Sequence, residues 1–162
     1  MVRELFILNI EGTQEALRRF LVALCCGDSQ LADDIAQETL MKAYLSCDDI
    51  KDARKFKAWI FRIAYNTFLD QRRRMREYVS CDRAADLHSA DGADASFRYQ
   101  DLYAALDLLS EKERTSVLLF YMEDYSIKEI AKMQDTSQGA VKQHLSRGRE
   151  HLRRILGSKT LK

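Results

Sequence analysis

Amide and basic side chains recur near the end of the chain at spacings that suit contact with a nucleic acid. A predicted helix begins at Ser137, and one side of it carries six polar residues: Gln138, Lys142, Gln143, Ser146, Arg147 and Arg149. Amide and guanidinium groups hydrogen-bond base edges, and Lys and Arg also bind phosphate. Val141 and Leu145 would lie on the opposite, buried side. The pattern indicates DNA contact, although an ordinary helical hairpin with a solvated charged face would look the same.

A second short helix and a tight turn would position these side chains. The earlier helix covers residues 126–133 and begins at a capping box, in which Ser126 and Glu129 each satisfy a free backbone N–H group. Residues 134–136 form the turn, and Ser137 is a predicted N-cap for the second helix. Two short helices joined in this way form a DNA-binding helix-turn-helix.

A second basic segment lies in the first half of the chain. Residues 51–77 hold nine Lys or Arg against three acidic residues, and residues 137–162 hold seven against one. Both segments carry a net charge of +6, although the whole chain carries only +1. Acidic segments at residues 28–50 and 81–107 separate them. This distribution predicts two surfaces for a polyanion and at least one for another partner.

The composition favours helix almost everywhere. The 162 residues include no proline and six glycines, and apolar residues recur at helical spacing. Helices are predicted from about Thr13 to Cys25, from an N-cap at Ser29, from Lys55 to about Glu77, again from Phe97, and from a capping box formed by Ser110 and Glu113. Residues 80–95 lack large periodic apolar side chains and resemble a linker. We therefore predict an all-α fold of two small helical domains, residues 1–79 and 96–162, which share no core across this linker.

Other classes of protein lack support in the sequence. No run of apolar residues reaches the length of a membrane span, and the first ten residues show no signal-cleavage site, which predicts a cytoplasmic protein. The four cysteines do not have the spacing of a zinc site. They are Cys25, Cys26, Cys47 and Cys81. We predict no metal, no cofactor and no disulfide.

Three segments of the second half resemble region 4 of sigma factors, which in that family binds the −35 promoter element. They are Leu109–Arg114, Tyr125–Ala131 and Ser137–Arg149. The resemblance adds His144 to the candidate −35 contacts. Gln143 and His144 replace the small and basic residues that are common in the family, so the sequence of the −35 element cannot be carried over.

The first half resembles sigma region 2. Residues 31–44 are similar to the helix that docks on the polymerase clamp, and there Asp34, Gln37 and Glu38 form an acidic, hydrogen-bonding face at helical spacing. The resemblance therefore implies core RNA polymerase as a partner and these three residues as its contacts. A solvated helix face is the plainer interpretation of the same charges.

Residues 56–75 resemble the helix that recognises and melts the −10 element of promoter DNA. Opening a promoter requires cations for the backbone and groups that receive an unstacked base. The candidate contacts are Asp48, Asp49, Lys55, Phe56, Arg62, Asn66, Arg72 and Arg73. By resemblance the acidic loop 46–54 forms the pocket for a flipped base, and Asp48 and Asp49 could accept from a cytosine amino group. Trp59 is predicted to lie in the core.

Together the segments resemble the extracytoplasmic-function (ECF) type of sigma factor, in which regions 2 and 4 are joined by a linker. The expected function is promoter-specific initiation with core RNA polymerase, and an anti-sigma factor is a further candidate partner. Alternatives are another helix-turn-helix regulator, or a sigma-like protein that only sequesters polymerase or an inhibitor. An enzyme would need a catalytic cluster, and His88, His144 and His151 do not group with carboxylates in the sequence.

Overall fold

The structure, a computed structural model, describes residues 3–82 and 97–160, with side chains at 3–78 and 99–157. These residues form seven α-helices: α1 (Arg3–Leu24), α2 (Ser29–Leu45), α3 (Phe56–Asp82), α4 (Phe97–Asp107), α5 (Glu111–Val117), α6 (Ile127–Met133) and α7 (Gln138–Thr160). A π-helical turn, Leu118–Met122, follows α5, and 3₁₀ turns cover Cys47–Asp49 and Ala53–Lys55. The described ranges contain no strand, which confirms the all-α prediction.

Helix α1 begins ten residues earlier than the sequence predicted. Phe6 is buried, and its ring packs edge-on against the rings of Tyr44 and Phe56, with centroids 5.8 and 5.6 Å away. Its position continues the buried stripe through Thr13 and Leu17, at the spacing of a helix face. The first turns of α1 therefore belong to the core of the first half.

The joint between α1 and α2 corrects the predicted N-cap. Gly27 has a φ of +90°, a conformation that favours glycine, and it reverses the chain after α1. Asp28, and not Ser29, caps α2: its carboxylate accepts from the backbone N–H of Leu31 at 3.1 Å. The sequence offered two adjacent capping residues, and the tight turn at Gly27 decides between them.

In the second half, local signals specify the helix starts. Ser110 and Ser126 each form the predicted capping box, with Glu113 and Glu129 respectively. Helices α5 and α7 approach so closely that a Cβ atom on Gly148 would lie 2.7 Å from Cγ2 of Val117. This close crossing holds the long helix α7 against the rest of the second half.

The two halves pack against each other, so the expectation that they share no core is wrong for the described residues. The rings of Phe61 on α3 and Tyr125 before α6 have centroids 5.9 Å apart. Arg114 on α5 is buried, and its Nη1 donates to the carbonyl of Leu24 at the end of α1, at 2.9 Å. The predicted linker, residues 80–95, lies outside the described residues except for 80–82, which continue α3.

Candidate nucleic-acid and partner interfaces

Helix α7 presents the predicted polar residues to solvent. The turn between α6 and α7 is closed by the backbone N–H of Thr136, which donates to the carbonyl of Ala131 at 2.9 Å. Oγ of Ser137 accepts from the backbone N–H of Ala140 at 3.1 Å, as an N-cap does. The exposed residues are Gln138, Lys142, Gln143, Ser146, Arg147 and Arg149. Val141 and Leu145 are buried on the opposite side, so the helix-turn-helix leaves one face of α7 open for DNA.

Two of the predicted −35 contacts differ from the rest. Nη1 of Arg149 donates to the hydroxyl of Tyr121 at 3.0 Å, which turns this guanidinium towards the π-helical turn. His144 is half-buried, and its Nδ1 has no hydrogen-bond partner among the described residues. Burial, together with the nearby charge of Lys112, lowers the pKa of His144 below its usual value, which favours the neutral ring. Neither side chain lies at the centre of the exposed face.

Four of the predicted −10 contacts, one in the 3₁₀ turn just before α3 and three on one exposed side of α3, form what we call the outer stripe. It consists of Lys55, Arg62, Asn66 and Arg73. The spacing of Arg62, Asn66 and Arg73 places these three along one line on the α-helix, because three to four residues complete each turn. Arg73 makes an ion pair with Asp70 at 3.3 Å on the same helix. The outer stripe therefore offers three cations and an amide to a strand of nucleic acid.

A second basic face of α3 points towards the other half of the molecule. This docked face consists of Lys57, Arg72 and Arg76, which pair with Glu111 and Glu123 of the second half. Arg72 was predicted to contact the −10 element together with its neighbour Arg73. The structure separates the two residues, because consecutive positions on an α-helix point about 100° apart.

The aromatic side chains of α3 lie mostly inside the fold. Phe56, predicted as a −10 contact, is 1% exposed and belongs to the core. Phe61 and Tyr65 are also buried. Trp59 is half-buried, with its ring centroid 5.8 Å from that of Phe56. On the described part of α3, Asn66 is the exposed side chain that could receive a base, because helices from both halves cover the aromatic sides of the helix.

The acidic loop before α3 presents two exposed carboxylates. Asp48 and Asp49 are exposed on the first 3₁₀ turn, which buried Cys47 and Ile50 anchor on either side. Asp52 instead accepts from the backbone N–H of Arg54 at 3.0 Å, and this hydrogen bond lowers the pKa of Asp52. The loop thus presents the two acids that the sequence singled out as base contacts.

Helix α2 divides the predicted polymerase contacts into two kinds. Asp34 and Gln37 are exposed. Glu38 instead joins α2 to α3: it accepts from Nε2 of Gln71 at 2.8 Å and pairs with Lys42 at 3.1 Å. The hydrogen bond from Gln71 is the main reason why the pKa of Glu38 is lowered.

Two apolar residues that the sequence analysis missed extend the exposed face of α2. Met41 is 67% exposed and Leu45 is 80% exposed. They follow Asp34 and Gln37 at helical spacing, on the same side of the helix. The helical spacing of these residues could be seen in the sequence. It indicates one exposed face only if apolar side chains are allowed on the solvent-facing side of a helix.

Comparisons with known proteins identify the family. The sigma-70 region 2 family matches residues 10–77, and the sigma-70 region 4 family matches residues 99–152. The ECF RNA polymerase sigma factor EcfG of Rhodopseudomonas palustris is 32% identical over 151 residues, which cover 91% of this chain and 83% of that protein. The chain belongs to the sigma-70 family. SigW, an ECF sigma factor of Bacillus subtilis, is also 32% identical and covers 80% of the chain and 78% of its own length.

A solved sigma factor superimposes on nearly the whole chain. The sigma factor RpoE of Bartonella quintana, solved in complex with the anti-sigma factor NepR, superimposes with a TM-score of 0.81 and 28% identity, covering 96% of this chain and 98% of that one. CnrH, solved with the cytosolic domain of CnrY, has a TM-score of 0.61 and 24% identity, which shows a common fold. As an ECF sigma factor, the protein binds core RNA polymerase and promoter DNA and directs promoter-specific initiation.

One histidine of the sigma factor departs from expectation. Nδ1 of His151 lies 3.2 Å from Oε2 of Glu113, so this histidine does contact a carboxylate. Glu113 is already engaged in the capping box of α5, and the described residues contain no cluster of three metal-binding side chains. The contact therefore ties α7 to α5.

None of the described helices is long and apolar enough to cross a membrane.

Proposed function

We propose that three exposed faces divide the work of this sigma factor: α2 docks on polymerase, α3 and its acidic loop bind the −10 element, and α7 binds the −35 element. The domains would be residues 1–79 and 96–162, with residues 80–95 as a linker. The observation that carries the proposal is that the outer stripe of α3 and the polar face of α7 are both exposed, on separate helices. Run-off transcription with core polymerase tests it, because only a sigma factor yields defined start sites. A chain that merely sequesters polymerase would give none.

For the −10 element, the outer stripe supplies cations to the backbone, and Asp48 and Asp49 accept from the amino group of a flipped cytosine. Replacing both acids with Ala, which removes the acceptor oxygens, should relax the preference at one −10 base pair by about 1–3 kcal/mol. Transcription from promoters with each base at that position would measure the change. The control is Asp33→Ala, because Asp33 is an exposed acid that pairs with Arg18 on α1. Equal preference in the variant and the control would remove the assignment.

For polymerase, the proposed contacts are Asp34 and Gln37, extended by Met41 and Leu45. A protein partner with basic and apolar side chains would match this mixed surface. Asp34→Lys should weaken binding to core polymerase about 10- to 1000-fold without affecting the fold. Glu38→Lys should also disturb packing, since Glu38 holds α3 to α2. Titration of core polymerase combined with thermal unfolding separates the two variants, and unchanged affinity in Asp34→Lys would exclude the contact.

We also propose that an anti-sigma protein controls this sigma factor in the cytoplasm. A cleft of about 590 Å³ lies between α1, α4, the π-helical turn and α7, and it is lined mainly by apolar side chains. Tyr99, Leu102 and Met122 line it and are partly exposed. Its shape and chemistry suit the apolar side of a partner helix. With NepR of Bartonella quintana as the probe, Met122→Glu should abolish binding and Met41→Glu should not. Equal affinities would place the partner elsewhere.

A further inference from the structure

Carboxylates of the second half occupy the docked face of α3. Oε1 of Glu111 lies 2.9 Å from Nη2 of Arg76 and 3.3 Å from Nε of Arg72. Oε2 of Glu123 lies 3.0 Å from Nζ of Lys57, and the side chain of Glu123 is only 3% exposed. The ammonium group of Lys57 also lies over the rings of Phe61 and Tyr125, at 5.7 and 6.0 Å. Each of the three cations of the docked face therefore has a carboxylate partner in the second half. Lys57 also contacts an aromatic ring from each half.

The same cations would suit the phosphates of DNA. Arg72 adjoins Arg73 of the outer stripe, and Arg76 lies one turn further along. Phosphate and carboxylate oxygens use the same hydrogen-bond geometry towards guanidinium and ammonium groups. A DNA strand that follows the outer stripe would thus lie within a helix diameter of the docked face. The cations of the docked face, however, are already paired with carboxylates of the second half.

The buried arginine at the joint between the halves has most of its partners within its own half. Arg114 donates to the carbonyls of Leu106 and Leu109, at 2.9 and 3.3 Å, within its own half. Only its third hydrogen bond, to Leu24, crosses to the first half. Separation would therefore leave this buried cation with two acceptors and with Asp107, at 3.9 Å, as its counter-ion. The second half therefore keeps two of the three hydrogen-bond acceptors of Arg114 when it moves away.

We propose that Glu111 and Glu123 act as intramolecular stand-ins for DNA phosphate, so that the free sigma factor is closed and binds −10 DNA weakly. When the halves separate, Lys57, Arg72 and Arg76 exchange these carboxylates for phosphates of the promoter strand. Opening of the chain and binding of −10 DNA are then coupled, and each favours the other. The inference rests on the proposed role of α3 in −10 binding.

The test is the double variant Glu111→Gln/Glu123→Gln, which keeps size and removes charge. The matched control is Asp135→Asn/Glu150→Gln, which changes the net charge equally at two exposed acids of the second half. For Glu150 the ion pair is with Arg154, on its own helix. Small-angle X-ray scattering should give a radius of gyration of about 15 Å for the compact wild type and the control. The double variant should give a larger value.

The second measurement is the affinity of the free protein for a single-stranded −10 oligonucleotide at low salt, against a scrambled strand. We expect the double variant to bind about tenfold more tightly than the wild type, and the control to stay within about twofold. A variant that remains compact, that expands without a gain in affinity, or that shows no binding would each overturn the inference. The single variant Glu111→Gln, at a half-buried position, should give an intermediate effect if the double variant unfolds.

Transcription separates this inference from the proposed function. Defined start sites with the wild type, combined with unchanged compactness and affinity in the double variant, would reject the charge mimicry alone. Absence of defined start sites with the wild type itself would reject the proposed function as well.

Discussion

The two basic helices, α3 and α7, differ in how their charges are used. Helix α7 buries one side against its own half and leaves its polar face exposed. Helix α3 has cations on two faces, of which the outer stripe is exposed and the docked face is paired with Glu111 and Glu123. Equal net charge in the sequence therefore does not mean equal availability. Whether a cation can bind DNA depends on which part of the chain already neutralises it.

Two kinds of interaction, which differ in burial, hold the halves together. Surface ion pairs contribute little to stability, whereas a buried guanidinium with three carbonyl acceptors is costly to remove. The contact between the halves contains both kinds, with Arg114 buried at its centre and the pairs of Arg72 and Arg76 near its edge. We expect Arg114 to determine the stability of the fold, and the edge pairs to determine whether the halves are closed or open.

The largest expected effect is that of Arg114→Met. The substitution removes the guanidinium donor from the carbonyls of Leu24, Leu106 and Leu109, of which that of Leu106 still accepts from the backbone N–H of Leu109, and each buried acceptor left unpaired costs about 1–3 kcal/mol. We expect the free energy of unfolding to fall by about 3 kcal/mol or more, measured by urea denaturation. Arg154→Met is the matched control, since Arg154 is exposed and its ion pair among the described residues is with Glu150 on its own helix. The control should change stability by about 0.5 kcal/mol or less. Similar losses in both variants would contradict the central role of Arg114.

The next effect concerns Cys26, which lies where the halves meet. Burial is the main cause that raises the pKa of the Cys26 thiol, from 9.0 to about 11, and the carboxylate of Asp107 on α4 adds to it. At pH 8 a pKa higher by two units lowers the reactive thiolate fraction roughly a hundredfold. Opening the halves should restore the ordinary pKa, so Glu111→Gln/Glu123→Gln should speed the alkylation of Cys26 by up to about a hundredfold.

Mass spectrometry after timed exposure to iodoacetamide would measure the rate at each cysteine. Cys47 is the internal control, because it is buried beside the acidic loop of the first half. The difference at Cys26 should shrink as the pH approaches 11, where the closed form also ionises. Equal acceleration at both thiols would indicate general loosening, and no acceleration at Cys26 would contradict an opening of the halves.

Local sequence signals predicted the starts of helices well. Ser110, Ser126 and Ser137 act as N-caps where the sequence placed them, because a capping hydrogen bond involves residues only three positions apart. The family and the all-α fold could be predicted because the sequence patterns that indicate them are also contiguous in the chain. The cap of α2 was missed because Asp28 and Ser29 are both good candidates, and only the backbone turn at Gly27 distinguishes them.

Long-range packing could not be predicted in the same way. Phe61 and Tyr65 are one turn apart on α3, but Phe56 lies on a different side, so no single periodic stripe marks all three as core. They are buried because α3 is covered by its own half and by the second half at once. The pairing of Arg72 with Glu111 has the same origin, as the two residues are far apart in the chain. Predicting either would have required knowing that the halves dock.

A smaller effect is expected where α7 crosses α5. Alanine at Gly148 would favour the helix by about 1 kcal/mol, but its Cβ would lie 2.7 Å from Cγ2 of Val117, and overpacking typically costs about 1–3 kcal/mol. We expect a net loss of about 1 kcal/mol by thermal unfolding, together with weaker −35 binding because α7 shifts. Gly157→Ala on the same helix is the control, since its Cβ would meet nothing within 4 Å. Stabilisation by both substitutions would show that the crossing can widen freely.

The smallest effect should come from single phosphate contacts on α7. Arg153 is exposed two turns beyond the proposed base contacts, so it should reach the DNA backbone and no base edge. Removing one phosphate contact releases about one counterion fewer, so Arg153→Ala should reduce the slope of log affinity against log salt by about 0.9 and weaken all promoters equally. Gln143→Ala should leave that slope unchanged and relax the preference at one −35 base pair. Binding of the intact holoenzyme to a set of −35 variants at several salt concentrations measures both quantities. A promoter-specific loss in Arg153→Ala would move the base-reading surface further along α7. A reduced slope in Gln143→Ala would mean that Gln143 contacts the DNA backbone. The assignment of base contacts to the start of α7 and of phosphate contacts to its later turns would then fail.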